Sequence, residues 1–172
     1  QVAVIVACDL IGLGRPDVDE VRAALAARGI AAPHTLIVAC THTHSGPDTL
    51  GLWGPDEQTS GVDPVYLAHV KQAIIEAAAE ALTFACPALL RAATARLPGQ
   101  IANLRDPGVV DDELAALQFV KPDGEVIATL LNLACHPEVL SGDSTLISAD
   151  YAGHALRAVE QSAGGTALHL SG

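Results

Sequence analysis

The sequence predicts an α/β fold with a mixed, largely parallel sheet flanked by helices and carrying one antiparallel hairpin. Three observations point there. Apolar runs of strand length alternate with amphipathic stretches of helix length along the 172 residues. Three of those runs end in the same Ala-Cys pair, just before Asp9, Thr41 and His136. Between two runs stands Lys121-Pro122-Asp123-Gly124, which has the residues of a tight hairpin turn.

Residues 2–8 form the first expected strand. A loop with Gly12, Gly14 and Pro16 leads to Asp17, the expected N-cap of a helix over 18–28 that Gly29 closes. Gly12-Leu13-Gly14 is a plain turn, because neither a third spaced glycine nor a Lys-Ser/Thr pair follows it. Residues 35–40 make the second strand. The polar stretch from Asp48 to Gly61 holds the only tryptophan, Trp53, which reads as a cap on the core or, alternatively, as an apolar wall for a substrate.

Asp63-Pro64 supplies a cap and first helical residue for a helix to about Leu82, with Val65, Val70, Ala73, Ile74 and Ala77 as its buried stripe and His69 beside it at the surface. A strand over 88–96, a loop from Pro98 to Glu113, and strands over 114–120 and 125–133 follow. Ser148 or Asp150 caps a helix to about Gln161, Gly164-Gly165 ends it, and residues 166–170 form the last strand. There are no internal repeats and no linker, so residues 1–172 read as a single partial domain. Both ends read as cut, since the chain enters a strand at Gln1 without an initiating Met and stops just past another strand.

Composition restricts the function. The chain is 50% hydrophobic and 3% aromatic, so Ala, Val, Leu and Ile must build its core. A formal charge of −11 argues against nucleic acid as a partner and offers no basic handle for anionic lipid. No apolar stretch approaches the roughly 20 residues that a spanning helix needs. No signal peptide is visible, and the residues themselves leave location and oligomeric state open. Cys8, Cys40 and Cys135 lie inside apolar runs with no Cys-x-x-Cys spacing, so buried free thiols are expected rather than zinc ligands or disulfides.

Thr41-His42-Thr43-His44-Ser45-Gly46-Pro47 concentrates the chemistry. In extended backbone, residues two apart point the same way, so His42 and His44 can face one site. Two polar loop histidines holding nothing is the competing reading. His136 ends another strand, with Pro137 stopping it. If the strands are parallel neighbours, their carboxyl ends gather Asp9, His42, His44 and His136 at one sheet edge, where ligand sites of open α/β sheets lie. Asp9 then suits either an outer partner of a ligand histidine or a strand-end cap.

The Thr-His-Thr-His-Ser-Gly-Pro string resembles the signature of the neutral/alkaline, non-lysosomal ceramidases. Supporting strings follow in the same order: Asn103-Leu104-Arg105 before Val110-Asp111, Asn132-Leu133-Ala134-Cys135-His136-Pro137, and Ile147-Ser148-Ala149-Asp150-Tyr151-Ala152-Gly153. The resemblance spans nearly the whole chain and is nearer to the broad bacterial branch than to a proven ceramidase. It implies a zinc-dependent amidohydrolase splitting N-acylsphingosine, a small-molecule lipid, into sphingosine and fatty acid, and it admits a secreted or periplasmic setting.

By motif match, the resemblance implies His42 and His136 as zinc ligands, with His44 beside the substrate as a catalytic residue. Arg105 is carried over as the supporting arginine, although Leu104 fills the position next to Asn103 and Arg105 comes one later. The family's glutamate and tyrosine ligands and its catalytic serine fall past residue 172, so this stretch alone is expected to be catalytically silent. Two other readings stand beside it: a related zinc hydrolase acting on a different amide or ester, and a non-catalytic α/β binding module.

Overall fold

The computed structural model describes residues 3–30, 36–140, 142 and 144–172. The elements run β1 (Val4–Cys8), α1 (Arg15–Ala27), β2 (Leu36–Cys40), α2 (Pro64–Thr83), β3 (Leu89–Arg96), β4 (Glu113–Val120), β5 (Val126–Leu133), α3 (Asp150–Ala163) and β6 (Thr166–Ser171). The class is mixed α/β, as expected. The starts expected at residues 2 and 35 lie outside the described residues.

The strands divide between two sheets. β1 and β2 pair in parallel from Val4↔Leu36 to Cys8↔Cys40, so both Ala-Cys ends finish level. The second sheet has the order β3-β4-β5-β6. Its β3–β4 and β4–β5 pairings are antiparallel, whereas β6 runs parallel to β5 after crossing through α3. The expected hairpin is therefore the second half of a three-strand meander. Its turn closes with Lys121 N–H on the Glu125 carbonyl at 2.8 Å, and Gly124 sits at φ 98°. β6 rests against β2 and β1 and so joins the two sheets.

Helix α2 starts as its sequence predicts: the Asp63 carboxylate accepts the N–H groups of Val65 and Tyr66. Its buried residues are Val70, Ile74, Ile75 and Ala78, while Val65 is exposed, so the core stripe sits about one position further round than expected. These residues pack with Val4, Leu10, Val21, Leu25 and Leu36 into a wholly aliphatic core. Helix α1 begins earlier than predicted, with Gly14 at the cap and Pro16 in the first turn. Proline presets the helical φ there, and Asp17 instead faces Lys71 of α2 at 3.3 Å. In α3 the cap position is Ala149, whose side chain makes no bond, but Ser148 Oγ accepts Asp150 N–H at 3.0 Å and so serves the first turn from one position earlier.

The four cysteines are free. Cys8, Cys40 and Cys135 are half-buried rather than fully buried, and Cys86 is exposed. Among the described residues no helix is long and apolar enough to cross a membrane.

Candidate metal centre

The loop after β2 is tied to the loop after β1 by its own backbone. Thr41 N–H bonds the Cys8 carbonyl at 2.9 Å and His42 N–H bonds the Leu10 carbonyl at 3.0 Å. The loop then sorts the side chains, with His42 turned by a left-handed backbone: Thr41 and Thr43 are buried, while His42 and His44 keep an open face. Thr43 Oγ1 donates to the Ser148 carbonyl at 2.7 Å, and Ser148 N–H returns a bond to the Ser45 carbonyl at 2.8 Å. The segment before α3 is thereby fastened under the histidine loop. His44 N–H reaches the Pro137 carbonyl at 3.3 Å, which brings the end of β5 to the same place.

Three imidazoles result, with ring centroids 5.2 Å (His42–His44), 4.8 Å (His42–His136) and 4.6 Å (His44–His136) apart. One donor atom from each lies within 4.8 Å of the others. His42 Nδ1 donates to the Ile11 carbonyl at 2.6 Å, which leaves Nε2 with its lone pair free. A backbone carbonyl on the far nitrogen is the usual way to fix a ligand histidine. His44 Nε2 and His136 Nε2 approach to 2.7 Å. Two neutral lone pairs repel at that distance, so one ring carries its proton between the two nitrogens, and moving that proton to the ring's Nδ1 frees both Nε2 atoms as ligands. The donor set therefore fits a metal ion that prefers nitrogen.

Burial first, and then the neighbouring His136 and His42, hold the His44 pKa below its usual value. An imidazole kept neutral in this way presents a lone pair rather than a charge. Glu138 lies 3.6 Å from His44 Nδ1 and 3.8 Å from His136 Nε2. It went unread in the sequence, and the signal was its place two residues after His136.

Asp9 does not join the cluster. It is exposed, and the outer partner of His42 is the Ile11 carbonyl instead. Asp150 has a different job from the cap expected of it. Its buried carboxylate accepts Leu140 N–H at 3.1 Å and Tyr151 N–H at 2.6 Å from a left-handed backbone at φ 53°.

A groove of about 640 Å³ runs from His136 and Glu138 to the loop carrying Asn103, Leu104 and Arg105. Asn103 is spent on that loop: its amide donates to the Val109 carbonyl and its carbonyl accepts Arg105 and Asp106 N–H. Arg105 lines the groove, while Leu104 is 91% exposed.

Trp53 does not cap the core. Its indole meets His44 edge-on with centroids 5.8 Å apart and remains 46% exposed. The Asp48 carboxylate holds that loop by accepting N–H from Leu50 at 2.9 Å, Gly51 at 2.8 Å and Trp53 at 2.9 Å. Burial would raise the Asp48 pKa, but these backbone donors outweigh it and keep the carboxyl below its usual range.

The fold is that of solved ceramidases. A ceramidase complexed with C2 matches with a TM-score of 0.79 and 22% identity over 98% of this chain and 29% of that one. The neutral ceramidase from Pseudomonas aeruginosa matches with a TM-score of 0.79 and 22% identity over 98% of this chain and 30% of that one. The chain thus spans less than a third of the length of these proteins. No family model matches the chain, and no curated protein sequence matches it significantly.

Proposed function

We propose that this chain is the histidine-bearing part of a zinc-dependent amide hydrolase acting on N-acylsphingosine or a closely similar N-acyl lipid. The observation that carries the reading is the meeting of His42, His44 and His136 with their donor atoms within 4.8 Å. A ceramidase-like fold supports it. Three imidazoles equal the protein-ligand count of a catalytic zinc site that keeps its fourth position open.

Zinc bound there would polarise the amide carbonyl and lower the pKa of a water to about 7. The chain's own residues prepare that site. The Ile11 carbonyl fixes the tautomer of His42. Glu138 faces His44 Nδ1, so a proton on that nitrogen is stabilised and the Nε2 lone pair of His44 is left for the site. Arg105 is within the groove that reaches His136 and can hold a polar group of the substrate.

A second reading keeps the zinc site and changes the substrate to another amide or ester. The displacement of the arginine by Leu104 favours it. Both readings are tested on the protein at its natural length, with metal content measured and N-acylsphingosine set against short amides and esters. Zinc in the protein and turnover of the sphingolipid alone supports the first reading, and turnover of only short substrates supports the second. A protein that takes up no metal is the non-catalytic module. Residues 1–172 alone are expected to be silent in the same assay.

A further inference from the structure

We propose that Tyr151 is the positioning residue for His136: its hydroxyl fixes the peptide that carries the ring and so sets where His136 meets the other two imidazoles. This rests on the zinc centre proposed above. The rings are not held alike. His42 is held through the ring itself, by the Ile11 carbonyl on Nδ1. The His136 side chain is 53% exposed, so packing alone does not fix it. Its support is on the backbone. The Tyr151 hydroxyl donates to the Cys135 carbonyl at 2.9 Å, and that carbonyl belongs to the peptide bond entering His136. Directly after it, Glu138 N–H donates to the His136 carbonyl at 3.0 Å.

Tyr151 is itself set by the unusual start of α3. Asp150, buried and in a left-handed backbone at φ 53°, accepts Tyr151 N–H at 2.6 Å and Leu140 N–H at 3.1 Å. A non-glycine residue keeps such a backbone only where its surroundings enforce it, and such positions cluster at functional sites. The hydroxyl is oriented in turn by buried His169, whose Nε2 lies 3.1 Å away. With the hydroxyl proton on the Cys135 carbonyl, His169 Nε2–H is the donor to the phenol oxygen. The same segment holds the other histidine loop, through Thr43 Oγ1 on the Ser148 carbonyl and Ser148 N–H on the Ser45 carbonyl. Residues 148–151 therefore set the backbone of both pieces that meet at the 2.7 Å contact between His44 and His136.

The test uses the natural-length protein. Tyr151→Phe removes one oxygen and keeps the ring, and it should lower zinc affinity about tenfold in competition with a chromophoric chelator, as loss of a group that orients a ligand histidine does. Asp63→Ala is the control for lost stability: Asp63 bonds only Val65 and Tyr66 at the start of α2, so its removal should leave zinc affinity as in the wild type. Equal affinity in the wild type and Tyr151→Phe, or the same loss in Tyr151→Phe and Asp63→Ala, would overturn the assignment. Zinc uptake without amide turnover by the wild type removes the hydrolase reading and leaves this comparison intact. If the wild type takes up no zinc, NMR of the metal-free protein with isotope-labelled histidine decides. Tyr151→Phe should then move the His136 ring signals and leave those of His42 in place, and unmoved His136 signals sink the inference.

Discussion

His42 occupies a left-handed backbone at φ 65°, a conformation that non-glycine residues adopt only when their surroundings enforce it. The Leu10 carbonyl on its N–H and the Ile11 carbonyl on its ring provide that enforcement. Changing His42 to Ala removes the fixed donor and should weaken zinc binding by more than the roughly 10–100-fold typical of losing an outer partner. His44 is the discriminating case. The resemblance to ceramidases would place it by the substrate, whereas its Nε2 lies 2.7 Å from that of His136. His44→Ala should therefore also lower zinc affinity in competition with a chromophoric chelator; unchanged affinity would return His44 to the substrate alone. The thiols give a second check. Burial first and then Asp9 push Cys8 up to about 11, while burial and then Cys8 push Cys40 up to about 12. Near pH 8 about one Cys8 in a thousand is thiolate, so exposed Cys86 should be alkylated well before Cys8 or Cys40. Equal labelling rates in a mass-spectrometric time course would contradict this burial.

At the level of elements, the crossover from β5 through α3 to β6 depends on Gly165. It sits at φ 69°, and a Cβ there would come within 2.6 Å of the Val126 carbonyl and 2.8 Å of that of Ile127. Both are backbone groups of β5 just ahead of its parallel pairing with β6 at Ala128↔Thr166, so Gly165→Ala should cost about 2 kcal/mol or more in urea unfolding. Asp63→Ala should cost about 1 kcal/mol, the usual worth of a helix cap. Both features were legible, because Asp-Pro and Gly-Gly are local signals that act within a few residues. Histidines 42, 44 and 136 were legible for the same reason, each following a strand-like run. Glu138 and the Asp48 knot were not. Their roles come from contacts that backbone direction decides: Glu138 carried only its place two residues after His136, and Asp48 carried no spacing at all. The wrong side of α2 was expected for a related reason: Ala-rich helices offer several stripes of similar hydropathy, and only the packed partner chooses among them.

Across the whole molecule, β6 is the piece the sequence could not place, because an apolar run does not say which sheet it joins. It pairs with β5 from Ala128↔Thr166 to Leu133↔Ser171 while resting on β2 and β1. The end of the second sheet is thereby brought to the histidine loop of the first. His169, on β6, is buried at this junction at 1% exposure. The Tyr151 hydroxyl of α3 donates to the Cys135 carbonyl at 2.9 Å and meets His169 Nε2 at 3.1 Å. His169 Nδ1 is buried without a partner. A proton added there would leave a charge in the joint between sheets, and burial, opposed in part by Asp9, accordingly lowers the His169 pKa from 6.5. A base with a depressed folded pKa binds fewer protons folded than unfolded, so stability is intact above the unfolded value and falls as pH drops below it. One such group can contribute a slope of at most about 1.4 kcal/mol per pH unit. His44 shares the direction of shift, so the comparison needs a His44→Ala background. In that background, urea unfolding at about pH 7.5 and about pH 5.5 should show a smaller acid loss when His169 is changed to Asn, which cannot titrate. An identical loss with and without His169 would mean that the two sheets are not joined through a neutral buried imidazole.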